Sequence, residues 1–266
     1  MKILFLTNRD LASNYALNWL LPELSNTNEV HLWLSAKVGK TSSPPQSLKS
    51  VKFFEQDLFN EVLSPLISAS KKANGYKTFD GLRCFLSSDI KEVNQINSPA
   101  TIDDLHTLLP DLIVSIRYGC ILKASAINVP RLGVINLHSG ILPVYKGVMA
   151  TFWALKNNES EIGTTLHMIE DGTIDTGKIV KISKMKVDPH QSYLEHVLAL
   201  YKQGSVDILD AIERLASDGV LELVKQDESD SYFTFPSEKE CIEFTEKGFV
   251  FVDQQAYLAF IQDNYL

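Results

Sequence analysis

Short apolar runs alternate with segments of helical periodicity through the first half of the chain, and this alternation constrains the fold strongly. Residues 2–7 and 30–34 read as buried strands, and residues 10–24 between them carry apolar side chains at helical spacing. Residues 111–116 and 134–138 are two further apolar strands. Strands separated by helices predict an α/β fold with a mostly parallel sheet flanked by helices.

The rest of the chain adds helices, a loop and one pair of strands. Between the early strands, the pattern predicts a loop over 37–50, a helix over 53–73 interrupted near Pro65, and a short helix over 103–109. After them it predicts a helix over 150–155, paired strands over 164–169 and 178–187, and a long helix over 190–215.

A polar break over 225–231 precedes an aromatic-rich tail. We therefore divide the chain into a main domain over 1–187, a helical segment over 188–230 that packs on it, and a small C-terminal module over 231–266. The aromatic side chains of this appendage could stack a pyrimidine base or form a homodimer contact, although aromatic residues at such spacing more often belong to a core.

Composition limits the class of protein. Of the 266 residues, 45% are hydrophobic and 22% charged, which is typical of a soluble globular protein. No stretch approaches the roughly 18 consecutive apolar residues of a membrane helix, and the N-terminus does not read as a secretory signal. Cys84, Cys120 and Cys241 are far apart and show no paired spacing, so we expect reduced thiols, a cytoplasmic location and no metal.

The net charge of −8 is distributed unevenly. Residues 1–180 contain 17 basic and 17 acidic side chains, whereas residues 181–266 contain 8 and 16. An acidic surface repels the phosphate backbone, so the C-terminal third argues against a nucleic-acid partner.

Three polar residues suggest a catalytic site. Asn136 and His138 lie two positions apart on an apolar strand, so their side chains point to the same face. Asp175 follows on a turn that also contains Gly177. An amide donor, an imidazole and a carboxylate that orients the imidazole suit the attack of an amine on an activated one-carbon carbonyl.

Four segments in a fixed order carry a resemblance to a known family. They are residues 111–122, residues 136–138 with 142–147, residues 163–167 and residues 175–177. They resemble the folate-dependent formyltransferases, which include glycinamide ribonucleotide, methionyl-tRNA and sugar N-formyltransferases. In size and layout, the chain is most similar to the sugar N-formyltransferases. The resemblance implies a Rossmann-like catalytic domain and N10-formyltetrahydrofolate as the formyl donor.

The resemblance also implies residue roles. Asn136, His138 and Asp175 fall on the family's catalytic Asn, His and Asp. The position where family members cradle the pterin, largely through backbone atoms, is occupied by Arg117, Tyr118, Gly119, Cys120, Ile121 and Leu122. Asp171 is a rival carboxylate, but the Asp-Thr-Gly context favours Asp175.

Further candidate residues lie within these segments or directly beside them. Tyr145 and Lys146 are candidates for binding the acceptor, and Lys146 could meet an acceptor phosphate. His167 lies on a strand that runs toward the aspartate, and we interpret it as structural or supporting. Ser139 and Gly140 depart from the family's usual order, a small residue followed by Ser, which we interpret as a variation of the turn.

The acceptor is less well defined than the reaction. Residues 7–14 occupy the place of the glycine-rich phosphate loop of glycinamide ribonucleotide enzymes but contain no glycine. Methionyl-tRNA enzymes carry a linker and a separate β-barrel, whereas only a short acidic tail follows the polar break here. We favour the amine of a nucleotide-linked amino sugar. The alternatives are a small amine such as N5-hydroxyornithine in siderophore synthesis, or a methionyl-tRNA-type acceptor.

Two hypotheses of a different kind stay open. A non-catalytic homologue would bind folate or nucleotide without transferring a formyl group, and the presence of all three candidate residues argues against it. A hydrolase would use water in place of the amine. Such hydrolases usually carry an N-terminal regulatory domain, whereas the first strand here begins at residue 2.

Overall fold

A seven-stranded sheet forms the centre of the protein in a computed structural model that describes residues 1–36, 45–70 and 75–266. Its strands are β1 (Lys2–Asn8), β2 (Glu29–Ser35), β3 (Lys91–Glu92), β4 (Leu112–Ile116), β5 (Val134–His138), β6 (Glu161–Met168) and β7 (Ile179–Lys186). Across the sheet they follow the order β3-β2-β1-β4-β5-β6-β7. The first five are parallel and the last two pairings are antiparallel, which confirms the predicted α/β fold with a mostly parallel sheet.

The chain reverses its progress across the sheet between β1 and β4. From β1 it extends to β2 and β3 on one side, and it then returns to place β4 and β5 on the other. In open α/β sheets, ligands bind in the crevice outside the carboxyl ends of the strands at such a point. The carboxyl ends of β1, β4 and β5 are therefore the expected place for a functional site.

Helices accompany the strands throughout the described ranges. They are α1 (Leu11–Leu24), α2 (Gln46–Lys52), α3 (Ser64–Ser70), α4 (Phe79–Leu82), α5 (Pro99–Leu108), α6 (Ala124–Ile127), α7 (Ala150–Lys156), α8 (Tyr193–Ser217), α9 (Glu238–Glu246) and α10 (Gln254–Asn264). A π-helix over Phe53–Leu63 joins α2 to α3, and a 3-10 turn over Arg83–Phe85 follows α4. None of the helices in the described ranges has the length and apolar character needed to cross a membrane.

The sheet separates two cores, and β1 contributes to both. Because strand side chains alternate, Ile3 and Phe5 face the larger core, which includes residues of α1, α7 and α8. Leu4 and Leu6 face the smaller core with Leu105 of α5. This burial on both faces explains why β1 reads as a continuous apolar run rather than an alternating one.

The aromatic tail belongs to the larger core. Phe244, Phe251, Tyr257 and Tyr265 are buried in the same cluster as Phe5 of β1. The segments predicted over 188–230 and 231–266 therefore share a core with residues 1–187. Their aromatic side chains are mostly used in packing, which is the more common of the two readings that the sequence allowed.

The predictions for residues 37–73 differ from the structure in two respects. The predicted loop over 37–50 ends early because α2 begins at Gln46, and residues 37–44 lie outside the described ranges. The predicted helix over 53–73 is helical as far as Ser70, with a change from π to α winding at Ser64 instead of an interruption. Its last residues, 71–73, lie outside the described ranges.

The helix predicted over 103–109 begins earlier, at Pro99. Ser98 caps it, because its Oγ accepts a hydrogen bond from the Thr101 N–H at 3.3 Å. Proline is favoured in the first turn of a helix, where its missing N–H costs nothing. The other predicted strands and helices agree with the structure to within a few residues at each end.

Candidate active site

β5 and β6 place an amide beside an imidazole. In the antiparallel pairing of these strands, Asn136 lies directly opposite His167, and Asn136 Nδ2 is 3.1 Å from His167 Nε2. His167 Nδ1 is 2.8 Å from the Met168 carbonyl oxygen, which can only accept. Nδ1 therefore carries a proton, and in the neutral ring Nε2 accepts a hydrogen bond from the Asn136 amide.

Asp175 reaches both histidines from the loop between β6 and β7. Its Oδ2 lies 3.5 Å from His138 Nδ1 and its Oδ1 lies 3.4 Å from His167 Nε2. The Gly147 N–H donates to Oδ2 at 2.8 Å. The structure thus brings the three predicted catalytic residues into one network, and it adds His167 to them.

The electrostatic surroundings keep Asp175 ionised. Burial of the carboxyl group works to raise its pKa, but the charge of His138 opposes this, as do the hydrogen bond and charge of His167 when that ring is protonated. Together with the Gly147 N–H, they lower the pKa of Asp175 to about 2. The side chain is therefore a carboxylate throughout the neutral range.

His138 is held between two acceptors. Its Nε2 is 2.7 Å from the Tyr145 carbonyl oxygen, while its Nδ1 faces the Asp175 carboxylate. A neutral imidazole has one N–H and can donate on only one side, whereas the protonated ring donates on both. Each ring nitrogen of His138 thus has an acceptor within reach, and together these acceptors fix the orientation of the imidazole.

Two glycines make the network geometrically possible. A Cβ atom at Gly140 would lie 2.7 Å from His138 Nε2 and 2.8 Å from the Tyr145 carbonyl oxygen. A Cβ atom at Gly177 would lie 1.8 Å from the Met168 carbonyl oxygen. The Ser-Gly order noted in the sequence thus has a physical reason, because position 140 leaves no room for a side chain beside His138.

The segment from Arg117 to Leu122 follows β4, the strand next to β5. Three donors of this segment bond to other parts of the protein. Tyr118 Oη donates to the Val93 carbonyl at 2.7 Å, and the Gly119 N–H donates to Ser35 Oγ at 3.1 Å. Cys120 Sγ donates to the Asn94 carbonyl at 3.2 Å. Leu122 is buried, whereas Ile121 is 56% exposed. The surface that this loop presents is therefore main chain and an apolar side chain.

Arg117 turns beneath the loop and pairs with two carboxylates. Its Nε donates to Asp10 Oδ2 at 2.9 Å, and its Nη2 donates to the Glu55 oxygens at 2.9 and 3.0 Å. Burial raises the pKa of Glu55 to about 7, with the Asp10 charge adding to the rise and Arg117 opposing it. The Arg117 guanidinium is thus committed within the protein, and the loop offers its backbone instead.

The two predicted acceptor-binding residues occupy different environments. The Tyr145 ring is buried and stacks on Phe233, with centroids 5.4 Å apart, and its hydroxyl donates to Glu159 at 2.7 Å. Its contribution to the site is the carbonyl that faces His138. Lys146 Nζ donates to the Ser229 carbonyl at 2.8 Å, and the residue borders an open cavity of about 330 Å³ that Thr176 and residues 226–230 also line.

The polar break in the sequence lies against this site. We call residues 224–233 the strap. At its start, Val224 exchanges two backbone hydrogen bonds of 2.8 Å with Ile179 at the beginning of β7. At its end, the Phe233 N–H donates to the Lys146 carbonyl at 2.9 Å and the Phe233 carbonyl accepts from the Val148 N–H at 2.8 Å. The strap therefore connects the sheet edge to the loop after β5.

Within the strap, Gln226 contacts the turn that carries the aspartate. Its Nε2 donates to the Asp175 carbonyl at 3.0 Å and to the Gly177 carbonyl at 2.6 Å. Gln226 lies in a polar segment without a motif, so its sequence context predicts no role for it. His167 was interpreted as supporting, and its position opposite Asn136 could have been found by pairing the two predicted strands.

Other features of the described ranges bear on ligands. No group of three or more His, Cys, Asp or Glu side chains there is arranged to hold a metal ion. Cys84, Cys120 and Cys241 are free thiols, of which Cys84 is exposed and Cys241 buried.

A carboxylate, an imidazole and an amide donor gathered beside the carboxyl end of a parallel strand are typical of an enzyme site. Residues 65–208, more than half of the chain, match the model of the formyl transferase family, and the chain belongs to this family. It is 34% identical over 131 residues to a methionyl-tRNA formyltransferase of Synechococcus sp. (strain JA-3-3Ab). That alignment covers 49% of this chain and 40% of the relative, so the chain spans less than half of that relative's length.

Solved structures share the fold over most of the chain. One is the N-formyltransferase from Helicobacter canadensis in complex with folinic acid and dTDP-3-aminofucose, with a TM-score of 0.60, 17% identity and coverage of 96% of this chain and 82% of that one. Another is glycinamide ribonucleotide transformylase 1 from Symbiobacterium toebii, with a TM-score of 0.56, 16% identity and coverage of 85% and 95%. At these identities, the likeness shows a common fold.

Proposed function

We propose that the protein transfers a formyl group from N10-formyltetrahydrofolate to a primary amine, and that the amine belongs to a nucleotide-linked amino sugar. The observation that carries the reaction is the network in which Asp175 lies within 3.5 Å of both His138 and His167 while Asn136 contacts His167. Membership of the formyl transferase family supports the same reaction.

The loop over 117–122 fits a flat, neutral heterocycle such as the pterin of the donor. Its outward surface combines main-chain groups with the exposed Ile121, because the polar atoms of Arg117, Tyr118 and Cys120 are bonded within the protein. A Cβ atom added at Gly172 would lie 3.7 Å from the Leu122 carbonyl oxygen. The loop between β6 and β7, which carries Asp175, therefore approaches the 117–122 loop near Leu122. Residues 117–122 would hold the pterin between these two loops.

The bound donor supplies the activated formyl carbonyl. One N–H of the Asn136 amide is used by His167, and the second is available to donate to the formyl oxygen as negative charge grows on it. His138 shares the strand face of Asn136, so its imidazole lies on the same side of the sheet as this amide. Removing one such donor typically lowers the rate by about 10²–10³.

Asp175 orients His138 and balances its charge. A base works best when its pKa lies near the working pH, and a carboxylate with a pKa of about 2 takes up a proton weakly at neutral pH. We therefore assign Asp175 to holding the imidazole rather than to accepting the amine proton. The His138 imidazole would take this proton, be stabilised as the cation by Asp175, and return the proton to N10 of tetrahydrofolate as the bond from N10 to the formyl carbon breaks.

Negative charge around the site argues against two of the alternative acceptors, glycinamide ribonucleotide and methionyl-tRNA. The N-terminus of α1, where glycinamide ribonucleotide enzymes are expected to bind phosphate, is capped by Asp10, whose Oδ1 accepts from the Ser13 N–H at 2.8 Å. A carboxylate in that place opposes a phosphate group. The strap carries Asp227, Glu228 and Asp230 beside the site, which opposes tRNA. A nucleotide-linked amino sugar carries a single diphosphate, so it fits with that diphosphate held away from both features.

The test is tetrahydrofolate release from N10-formyltetrahydrofolate with thymidine- and uridine-diphosphate amino sugars as acceptors. N5-hydroxyornithine, glycinamide ribonucleotide and methionyl-tRNA serve as comparisons. We expect release that depends on one amino-sugar nucleotide and that falls by orders of magnitude in Asn136→Ala, His138→Ala and Asp175→Asn. Release with another acceptor alone would replace the sugar, and formate release without any amine would indicate a hydrolase.

A further inference from the structure

Asp175 adopts a backbone conformation that its neighbours must maintain. Its φ is 56°, in the left-handed region, which is unfavourable for a residue with a Cβ. Two residues later, Gly177 is pressed against the Met168 carbonyl so closely that no Cβ fits. A turn of this kind persists only where the surrounding structure holds it in place.

Gln226 provides such a hold with a single amide group. The two N–H groups on its Nε2 donate to the carbonyls of Asp175 and Gly177 at 3.0 and 2.6 Å, so one side chain bridges both ends of the turn. Two carbonyls can be bridged only by a side chain that donates at least two hydrogen bonds. Neither a carboxylate nor an apolar side chain of the same length can replace it.

The strap fixes Gln226 on both sides. Val224 is paired with Ile179 by two backbone hydrogen bonds, and the Ser229 carbonyl accepts from Lys146 Nζ. One anchor belongs to β7, the strand that follows Asp175 in the chain. The other belongs to the loop after β5, whose Gly147 N–H donates to the Asp175 carboxylate. The family match ends at residue 208, so this contact comes from outside the matched range.

We propose that Gln226 is a positioning residue for Asp175, through which the strap completes the active site. It holds the turn over 175–177 so that the carboxylate keeps its distance to His138 and His167. The inference rests on the proposed function, because that function gives Asp175 its part in the reaction.

The test compares Gln226→Met and Gln226→Glu with the wild-type protein. Met keeps the length of the side chain and removes both donors, whereas Glu keeps the shape and turns an acceptor toward two carbonyls. Gln255→Met and Gln255→Glu are matched controls, because Gln255 is exposed on α10. The primary measurement is the ¹⁵N NMR signals of the His138 and His167 rings at neutral pH, with the thermal midpoint as a measure of folding.

We expect the ring signals of both histidines to change in the two Gln226 variants and to stay unchanged in the Gln255 controls. In Gln226→Glu, lowering the pH restores one donor by protonation, so the signals should move back toward those of the wild type at the same pH. With an active acceptor, kcat should fall by about 100-fold while the KM for the donor changes little, as expected from displacement of a catalytic group by about 1 Å.

Unchanged ring signals in both Gln226 variants would overturn the proposal, and so would a loss of folding in both, which would assign Gln226 a purely structural role. If the wild-type protein transfers no formyl group to any acceptor, the proposed function fails. The ring signals still decide whether Gln226 positions Asp175, so the two failures are distinguishable.

Discussion

Asn136 and His167 face each other across the β5–β6 pair, with Asn136 Nδ2 3.1 Å from His167 Nε2. Because His167 Nδ1 donates to a main-chain carbonyl, the ring holds one N–H of the amide and orients the other. The register of an antiparallel strand pair thus aims the donor proposed for the formyl oxygen. A shift of one residue would turn either side chain to the opposite face of the sheet.

We expect His167→Leu and Asn136→Ala each to lower kcat, and we expect their effects to be non-additive. In Asn136→Ala the partner of His167 is already gone, so a second change at His167 should cost less than it does in the wild type. The coupling free energy in a double-mutant cycle on kcat should be about 0.5–3 kcal/mol. Fully additive effects would show that the hydrogen bond between the two side chains has no part in turnover.

The low pKa of Asp175 predicts a pH-dependent contribution to stability. Its folded-state pKa of about 2 lies below its ordinary value of 3.8, so the ionised form is stabilised by folding. That contribution, about 2 kcal/mol, is present above pH 4 and is lost as the pH falls from 4 to 2.

Urea unfolding of the wild-type protein and Asp175→Asn tests this at pH 6 and pH 2.5. The wild type should be the more stable of the two at pH 6, and the difference should shrink at pH 2.5. An equal difference at both pH values would contradict the depressed pKa.

The raised pKa of Glu55 predicts that stability depends on pH with the opposite sign. Its pKa is raised from 4.5 to about 7, chiefly by burial, so its ionisation opposes folding. Stability associated with the neutral form is present below pH 4.5 and is lost as the pH rises toward 7, by on the order of 2–3 kcal/mol.

The free energy of unfolding of Glu55→Gln, relative to the wild type, should therefore rise between pH 5 and pH 8. Glu61→Gln is the matched control, since it removes an exposed carboxylate from the same π-helix. A Glu55→Gln variant whose stability relative to the wild type stays constant over this range would show that Arg117 outweighs burial at this site.

Gly140→Ala should abolish most activity. Its Cβ would lie 2.5 Å from the Ala150 Cβ and 2.7 Å from His138 Nε2, so the imidazole must move. We expect kcat to fall by about 100-fold or more, with a loss of roughly 1–3 kcal/mol in stability from overpacking.

Gly172→Ala is the control for that change. A Cβ there meets the Leu122 carbonyl oxygen at an ordinary 3.7 Å and does not touch His138, so kcat should be retained and any change should be confined to the KM for the donor. Near-normal kcat in Gly140→Ala would mean that the position of His138 is less constrained than the contacts indicate.

Local patterns in the sequence predicted the parts of the site that local structure determines. Asn136 and His138 share a face because strand side chains alternate, and the strands, α1 and α8 follow from apolar periodicity. Gln226 was missed because it lies 51 residues from Asp175 in the sequence. The two residues come into contact only because the strap pairs with the beginning of β7. The pairing of Arg117 with Glu55 joins residues 62 apart, and no short-range pattern records such a contact.

The tail shows the same limit. The aromatic spacing over 231–266 was compatible with a separate module. The surface against which these side chains pack is formed by helices that are distant in the sequence. Only the packed structure shows that Tyr257 and Tyr265 complete the core beneath α1 and the π-helix, where Tyr257 Oη donates to the Phe54 carbonyl at 2.9 Å.

The contact between Tyr265 and Asn14 has a consequence for the order of events during synthesis. The Tyr265 hydroxyl donates to Asn14 Oδ1 at 2.7 Å inside the core, across a separation of 251 residues. α8 covers much of α1 earlier in the chain, but the Asn14 amide receives this hydroxyl only once residue 265 has been translated. Contacts this distant in sequence slow folding. The core around Asn14 is therefore completed late, after residues that are 251 positions apart have met.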